Sequence, residues 1–184
     1  QIQREYDAML LAGGAGWPRD LKVPGRELTG IHFAMEYLTQ QNRVCEGDTV
    51  ADSEIISASG KHVVIIGGGD TGADCLGTAH RQGAASVSQL ELLERPPDSR
   101  AADNPWPNWQ NIFRVSSAHE EGGDRLYAVS TQTFSGDTNG RVAVLHGNKV
   151  EVSYTNGQPR FNSIPEDDFK IKADLVLLAM GFVG

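Results

Sequence analysis

Cysteine is nearly absent: Cys45 and Cys75 are the only two in 184 residues, and they share no CxxC spacing. A disulfide scaffold, an iron–sulfur cluster and a zinc knuckle therefore lack ligands, and a reducing, cytoplasmic setting is the expectation. Long apolar runs are missing as well. The longest nearly unbroken one, from Leu175 to Gly184, has 10 residues, where a membrane span needs about 20. The opening QIQREYD is neither a signal nor a transit peptide. Basic charge is scarce too: 16 Lys+Arg stand against 24 Asp+Glu, a formal net charge of −8 with a pI near 5.0. Without a Lys/Arg-rich run there is no basic face for counterion release to act through, so neither nucleic acid nor membrane is expected as a partner.

Glycine, by contrast, is plentiful, at 21 residues, and hydrophobic residues make up 39% of the chain. That is the composition of a globular protein with a packed core, and the length suits about one to one and a half domains. The chain opens without Met and stops at Gly184 just past the apolar LVLLAMG, which predicts a piece of a longer polypeptide.

Tyr6 to Ala12 (YDAMLLA) is a short apolar run closed by Gly13-Gly14-Ala15-Gly16, the pattern of a buried parallel strand entering a turn. Pro18 and Pro24-Gly25 prevent a helix from starting on those glycines, so the turn offers no helix N-terminus to a phosphate. In Thr29 to Arg43, Ile31, Ala34, Met35 and Leu38 recur at helical spacing and predict an amphipathic helix, with Phe33 and Met35 as core residues. A polar loop follows from Cys45 to Gly60. Lys61 to Ile66 (KHVVII) predicts a strand buried on both faces, Ala73 to Gln82 a helix stopped by Gly83, and Ser86 to Leu93 a second strand. Strand, glycine turn, helix and strand in this order make a βαβ unit. After the irregular, Pro- and Trp-rich stretch from Arg95 to Asn111, short strands are predicted at Leu126 to Phe134, Arg141 to Leu145 and Lys149 to Tyr154. Asn139-Gly140 and His146-Gly147 are their turn signals, and the whole reads as an antiparallel meander. Leu175 to Ala179 is a further buried strand that rejoins the parallel sheet. The fold class is thus α/β, a Rossmann-like parallel sheet with a small antiparallel β-meander.

The turn between strand and helix, Gly67-Gly68-Gly69-Asp70-Thr71-Gly72, matches GxGxxG in its proper context. Gly67 makes the tight turn, Gly69 lets a pyrophosphate approach the backbone, and Gly72 lets helix and strand pack closely. Asp70 is a candidate helix cap and Thr71 a candidate hydroxyl donor to a phosphate oxygen. An acid at the end of the second strand would take the ribose hydroxyls of NAD, and Glu91 is better placed for this than Glu94. Arg95, or Arg100, would instead accept the 2′-phosphate of NADP; the uncharged Leu92-Leu93 shifts the balance toward NADH. The histidines share no metal-ligand spacing, and HEEGG (119–123) lacks the second His of a zincin helix, so each reads as surface or core filler. Cys75 reads as a small hydrophobe, and Trp106 and Trp109 either cover a ligand or staple their loop.

LAGGAGWPRDLKVPGRELTGIHFAMEYL, VVIIGGGDTGADCLGTAHRQGA, the NPWPNW loop with SSAHEEGG, and ADLVLLAMGF together cover nearly the whole chain. In these stretches the sequence resembles the small chain of glutamate synthase, or the equivalent part of its fused eukaryotic form. The resemblance implies a flavoprotein in which a nicotinamide-binding domain is inserted into an FAD-binding domain. Residues 1–60 would then be a crossing segment and helix from the FAD-domain side, and 61–184 the NAD(P)H-binding domain. It also implies hydride transfer from NADH or NADPH to FAD, and a large subunit that makes glutamate from glutamine and 2-oxoglutarate. No FAD fingerprint and no iron–sulfur cysteines occur in this chain, and many relatives carry two arginines where it has Leu92-Leu93. The alternatives are the nicotinamide domain of a related flavin/iron–sulfur reductase and a non-catalytic nucleotide-binding module.

Overall fold

Val63, Val64 and Ile65 are consecutive β-branched residues, and in an extended chain consecutive side chains point to opposite faces. All are fully buried, so the strand that carries them must be covered on both sides. The computed structural model describes residues 2–51, 53–155 and 158–183 and shows both covers. Its elements in chain order are α1 (Ile2–Glu5), β1 (Ile31–Phe33), α2 (Ala34–Cys45), β2 (His62–Ile66), α3 (Asp70–Arg81), β3 (Ser86–Leu90) and α4 (Ser117–Glu120). They continue as β4 (Asp124–Leu126), β5 (Val129–Gly136), β6 (Val142–Thr155), β7 (Gln158–Lys172) and β8 (Leu175–Leu178). Five strands form a parallel sheet in the order β1-β8-β2-β3-β4, and β5-β6-β7 form a separate antiparallel sheet. The α/β, Rossmann-like reading holds.

Val63 and Ile65 of β2, with Leu175 and Leu177 of β8, face α2 and α3, where they meet Tyr37, Cys75, Leu76 and Ala79. Val64, Val176 and Leu178 point the other way, onto Phe134, Val142 and Leu145 of the antiparallel layer. Each large side chain so buried contributes about 1.5–3 kcal/mol. Polar clasps fix the alignment. Asp174 receives the His62 N–H on its carboxylate at 2.9 Å and donates its own N–H to the His62 carbonyl at 2.8 Å, so β8 and β2 start level. Gln82, just past α3, accepts from the Tyr37 hydroxyl at 3.0 Å and from the Ala58 N–H at 2.8 Å. This ties α2, the loop before β2 and α3 together.

Several elements depart from the sequence reading. Tyr6 to Ala12 is not a buried strand: no described strand pairs with it, and Leu10 and Leu11 are 90% and 84% exposed. An apolar run becomes a strand only where a neighbour accepts its backbone groups, and none does so here. The helix expected from Thr29 begins at Ala34, because Ile31–Phe33 pairs with β8 first; Glu36 reaches back to the Phe33 N–H at 3.1 Å. Met35 is consequently exposed, and Tyr37 fills the core place instead. The expected strand Leu126 to Phe134 splits in two at Ala128, which takes φ 53 as the chain leaves the parallel sheet for the antiparallel one. His146-Gly147 is no turn. Gly147 lies inside β6, where the Phe169 ring and the Ser130 carbonyl leave no room for a Cβ. Asn139-Gly140 does turn the chain, with Gly140 at φ 74 and Asp137 accepting from the Asn139 and Arg141 N–H groups.

Candidate functional site

The parallel strands all end on one side, and β2 runs there straight into the glycine turn. Gly67 has φ 126, and a Cβ on it would collide with the Ala179 carbonyl at the end of β8. Gly72 is buried in the first turn of α3, where a Cβ would strike the Gly67 carbonyl and the Gln89 amide. Gly69, by contrast, has nothing within 4 Å of a built Cβ. The two outer glycines of the pattern are thus needed by the protein's own packing, and the middle one leaves open space in front of a helix N-terminus. That open space is where backbone N–H groups and the helix dipole favour an anion.

Helix α3 begins at Asp70, earlier than the expected Ala73, so the second half of the glycine pattern lies inside its first turn. The N-cap is Gly69, and Asp70 makes no side-chain cap, contrary to expectation. In front of the turn lies an open groove of about 440 Å³, lined by Gly68, Gly69, Asp70, Glu91 and Arg95 among others. Gly67 and Gly72 do not line it. Thr71 does not reach the groove: it borders a small hollow on the other side of the turn with Phe33, Met35 and Phe182.

Glu91 stands just beyond β3 with its carboxylate over the turn. Oε2 accepts the Gly68 N–H at 2.7 Å, and Oε1 accepts the Leu93 N–H at 2.9 Å. Each oxygen keeps a further lone pair for a ligand hydroxyl. Arg95 is in the groove, but its guanidinium is paired with Asp98 at 2.6 Å and lies 3.9 Å from the Phe113 ring centre. Arg100 is not there. It donates to the Asn104 and Asn108 carbonyls at 2.6 Å each and so folds the Pro/Trp-rich loop. Asn104 completes that fold by bonding the Trp109 carbonyl and the Asn111 N–H. The staple of this loop is therefore Arg100 with Asn104, while Trp109 lines the groove, 80% exposed beneath the Arg114 guanidinium.

Other groove residues escaped the sequence reading. Arg125 of β4 lies 4.7 Å from the Phe113 ring centre and donates to the Arg114 carbonyl at 3.0 Å. Val152 and Tyr154 come from the far half of β6. His119, read as filler, lines the groove and bonds Gln89 at 2.9 Å. Burial, helped by Arg125, holds the His119 imidazole below its ordinary range against an opposing pull from Asp70, so the neutral ring is favoured. Gln89 carried the available signal: an amide in a strand of otherwise small or apolar residues, 2% exposed. No group of three or more His, Cys, Asp or Glu among the described residues could hold a metal ion, and no helix among them is long and apolar enough to cross a membrane.

The family described as pyridine nucleotide-disulphide oxidoreductase matches residues 2–184. The chain belongs to that family. It is 54% identical over 187 residues to a Mycobacterium tuberculosis protein named glutamate synthase [NADPH] small chain, an alignment covering 100% of this chain and 37% of the relative. It is 44% identical over 191 residues to the glutamate synthase [NADH] of Schizosaccharomyces pombe, covering 100% of this chain and 9% of that protein. The chain thus spans well under half the length of these relatives. Among solved structures, the fold resembles Mycobacterium tuberculosis FprA in complex with NADPH (TM-score 0.60, 17% identity, 100% of this chain and 51% of that one). It also resembles T. acidophilum thioredoxin reductase (TM-score 0.53, 16% identity, 91% and 42%).

Proposed function

We propose that this chain is the nicotinamide-nucleotide-binding part of a glutamate-synthase-type oxidoreductase, holding NADH or NADPH for hydride transfer to an FAD in an adjoining domain. The observation that carries the reading is the open space at Gly69, between glycines packed too tightly for any side chain, at the start of α3 and facing a groove with a carboxylate. This family's strand, turn and helix fit a dinucleotide whose diphosphate lies over Gly68 and Gly69. The adenosine half would occupy the groove beside Glu91 and Arg95. The other half would pass to the opposite side of the turn, toward Thr71, Met35 and Phe182, where Thr71 has a hydroxyl to offer. When bound, the nicotinamide supplies the hydride, and the chain's contribution is orientation and exclusion of competing positions.

Glu91 favours NADH. Its carboxylate is fixed by two backbone donors and would accept ribose hydroxyls but repel a 2′-phosphate, and Arg95 in the same groove already has Asp98 as partner. The names of the relatives include both nucleotides, so a change of preference within the family has precedent. The FAD-binding domain and a large subunit that forms glutamate from glutamine and 2-oxoglutarate are the proposed partners, the whole working in the cytoplasm. The exposed apolar side chains of Tyr6, Met9, Leu10, Leu11 and Trp17 suit the segment that crosses to the FAD side. The packing of β1 and α2 against β8 and α3 supports counting them with the nucleotide domain.

Calorimetric titration of the full-length protein with NADH and with NADPH tests this reading. Wild type should bind with a preference for NADH, and Gly69→Val should lose binding by at least about 100-fold while keeping its thermal midpoint, since its side chain enters open space. Unchanged affinity in Gly69→Val would remove the assignment.

A further inference from the structure

The peptide joining Gly67 to Gly68 is held at both ends, by Gln89 of β3 and by Glu91 just beyond it. Its carbonyl oxygen accepts from Gln89 Nε2 at 2.9 Å, and its N–H donates to Glu91 Oε2 at 2.7 Å. A peptide unit is planar, so fixing both groups fixes the rotation of the whole plane. Gln89 and Glu91 are two residues apart in an extended segment and so share a face, which lets β3 set the conformation of the turn beside it.

Gln89 is in turn set by another element. Because Nε2 faces the Gly67 carbonyl, Oε1 must face His119, and His119 Nε2 must therefore carry the proton that bonds it at 2.9 Å. That leaves Nδ1 as the acceptor for the Ser116 N–H at 3.2 Å and the Ser116 hydroxyl at 2.9 Å. The chain of bonds runs from the N-terminus of α4 through His119 and Gln89 to the floor of the groove. Every member has its donor or acceptor role fixed by the next.

We propose that Gln89 and His119 are positioning residues for the nicotinamide nucleotide: they lock the Gly67–Gly68 peptide so that the turn and Glu91 are already in their binding arrangement before the ligand arrives. The proposal rests on the groove being the nucleotide site. Neither residue needs to touch the diphosphate. Without the relay, the peptide keeps its bond to Glu91 but loses the one to Gln89, and rotation about the glycine dihedrals, unhindered by a side chain, competes with the bound form.

The test measures Kd for NADH by calorimetry, together with KM and kcat for NADH reduction of an artificial electron acceptor, in the full-length protein. Gln89→Leu and His119→Phe should each weaken Kd and raise KM by about tenfold, with kcat at saturating nucleotide changed less than about twofold. The double variant should bind no worse than the weaker single one, because both cut one relay. His119→Gln, which restores an N–H toward Gln89, should return Kd to within about threefold of wild type. His119 is half-buried where Gln89 is fully buried, so His119→Phe and His119→Gln keep the test readable if Gln89→Leu does not fold. Wild-type Kd in His119→Phe, or single effects that multiply in the double variant, would overturn the proposal. Gly69→Val separates the two levels: if it binds NADH normally the nucleotide reading fails, whereas if it loses binding while His119→Phe does not, the relay alone fails.

Discussion

Two glycine turns follow apolar runs in this chain, and they differ in almost every physical respect. Around Gly13, Gly14 and Gly16 a Cβ would meet nothing within 4 Å, the preceding Leu10 and Leu11 are exposed, and no helix follows. At Gly67 and Gly72 backbone atoms stand where a Cβ would be, the preceding Ile65 is fully buried, and α3 starts at once. Both turns are glycine-rich; what differs is whether strand, turn and helix press against one another. A glycine required by contact marks a place where backbone, rather than side chain, does the recognising.

The strongest way to break this contrast is to fill both turns. Gly72→Val should destabilise the protein by about 3 kcal/mol through overpacking against the Gly67 carbonyl, while Gly16→Ala stays within about 0.5 kcal/mol; urea denaturation measures both. Next in size, Glu91→Ala should weaken NADH binding by about tenfold and reduce the preference over NADPH, a loss that no substitution in the first turn should reproduce. Calorimetry with each nucleotide gives the ratio. Thiol chemistry extends the contrast to what each region protects. Burial raises the Cys75 thiol on α3 to about 12, whereas Cys45 is exposed, so iodoacetamide at neutral pH should label Cys45 and leave Cys75 unmodified until unfolding; mass spectrometry of the digests reads it.

The smallest effect is one of pH. Burial lowers His119 and His32 below the ordinary histidine value of 6.5, so the folded state prefers both rings neutral. The unfolded chain then binds more protons below that value, and the stability these rings contribute is present above pH 6.5 and lost as the pH falls. His119→Phe should flatten part of that slope, leaving the part due to His32. Hydrogen exchange should show the Gly68 amide losing protection on acidification, with the Gly14 amide exchanging fast throughout.

The sequence revealed most where one residue pattern had one physical solution. KHVVII could only be a strand covered on both sides, and the glycines after it had strand and helix to either side to interpret them. Leu126 to Phe134 alternates well enough for one strand, yet the chain changes sheets at Ala128, and nothing local records which partner each half will find. The groove was half visible for the same reason. Glu91 follows from its distance along the chain from the turn, whereas His119, Arg125 and Tyr154 lie far along the chain from the turn and meet it only in the folded protein. Thr71 shows the converse: its place in the motif is right for the turn, but helical rotation takes its side chain to the other side.

The hairpin of β6 and β7 reaches past the core, and the register slips between Asn148 and Val150 of β6. Buried Asn148 is anchored there by the Gln132 amide at 2.6 Å. Beyond this bulge the strand is an arm, and Val152 and Tyr154 on it form part of the groove wall. Because alternate residues face opposite ways, deleting a single residue at the bulge would turn Tyr154 away from the groove without altering any residue of the glycine turn. The arm behaves as a gnomon, its angle set at the bulge and read at Tyr154.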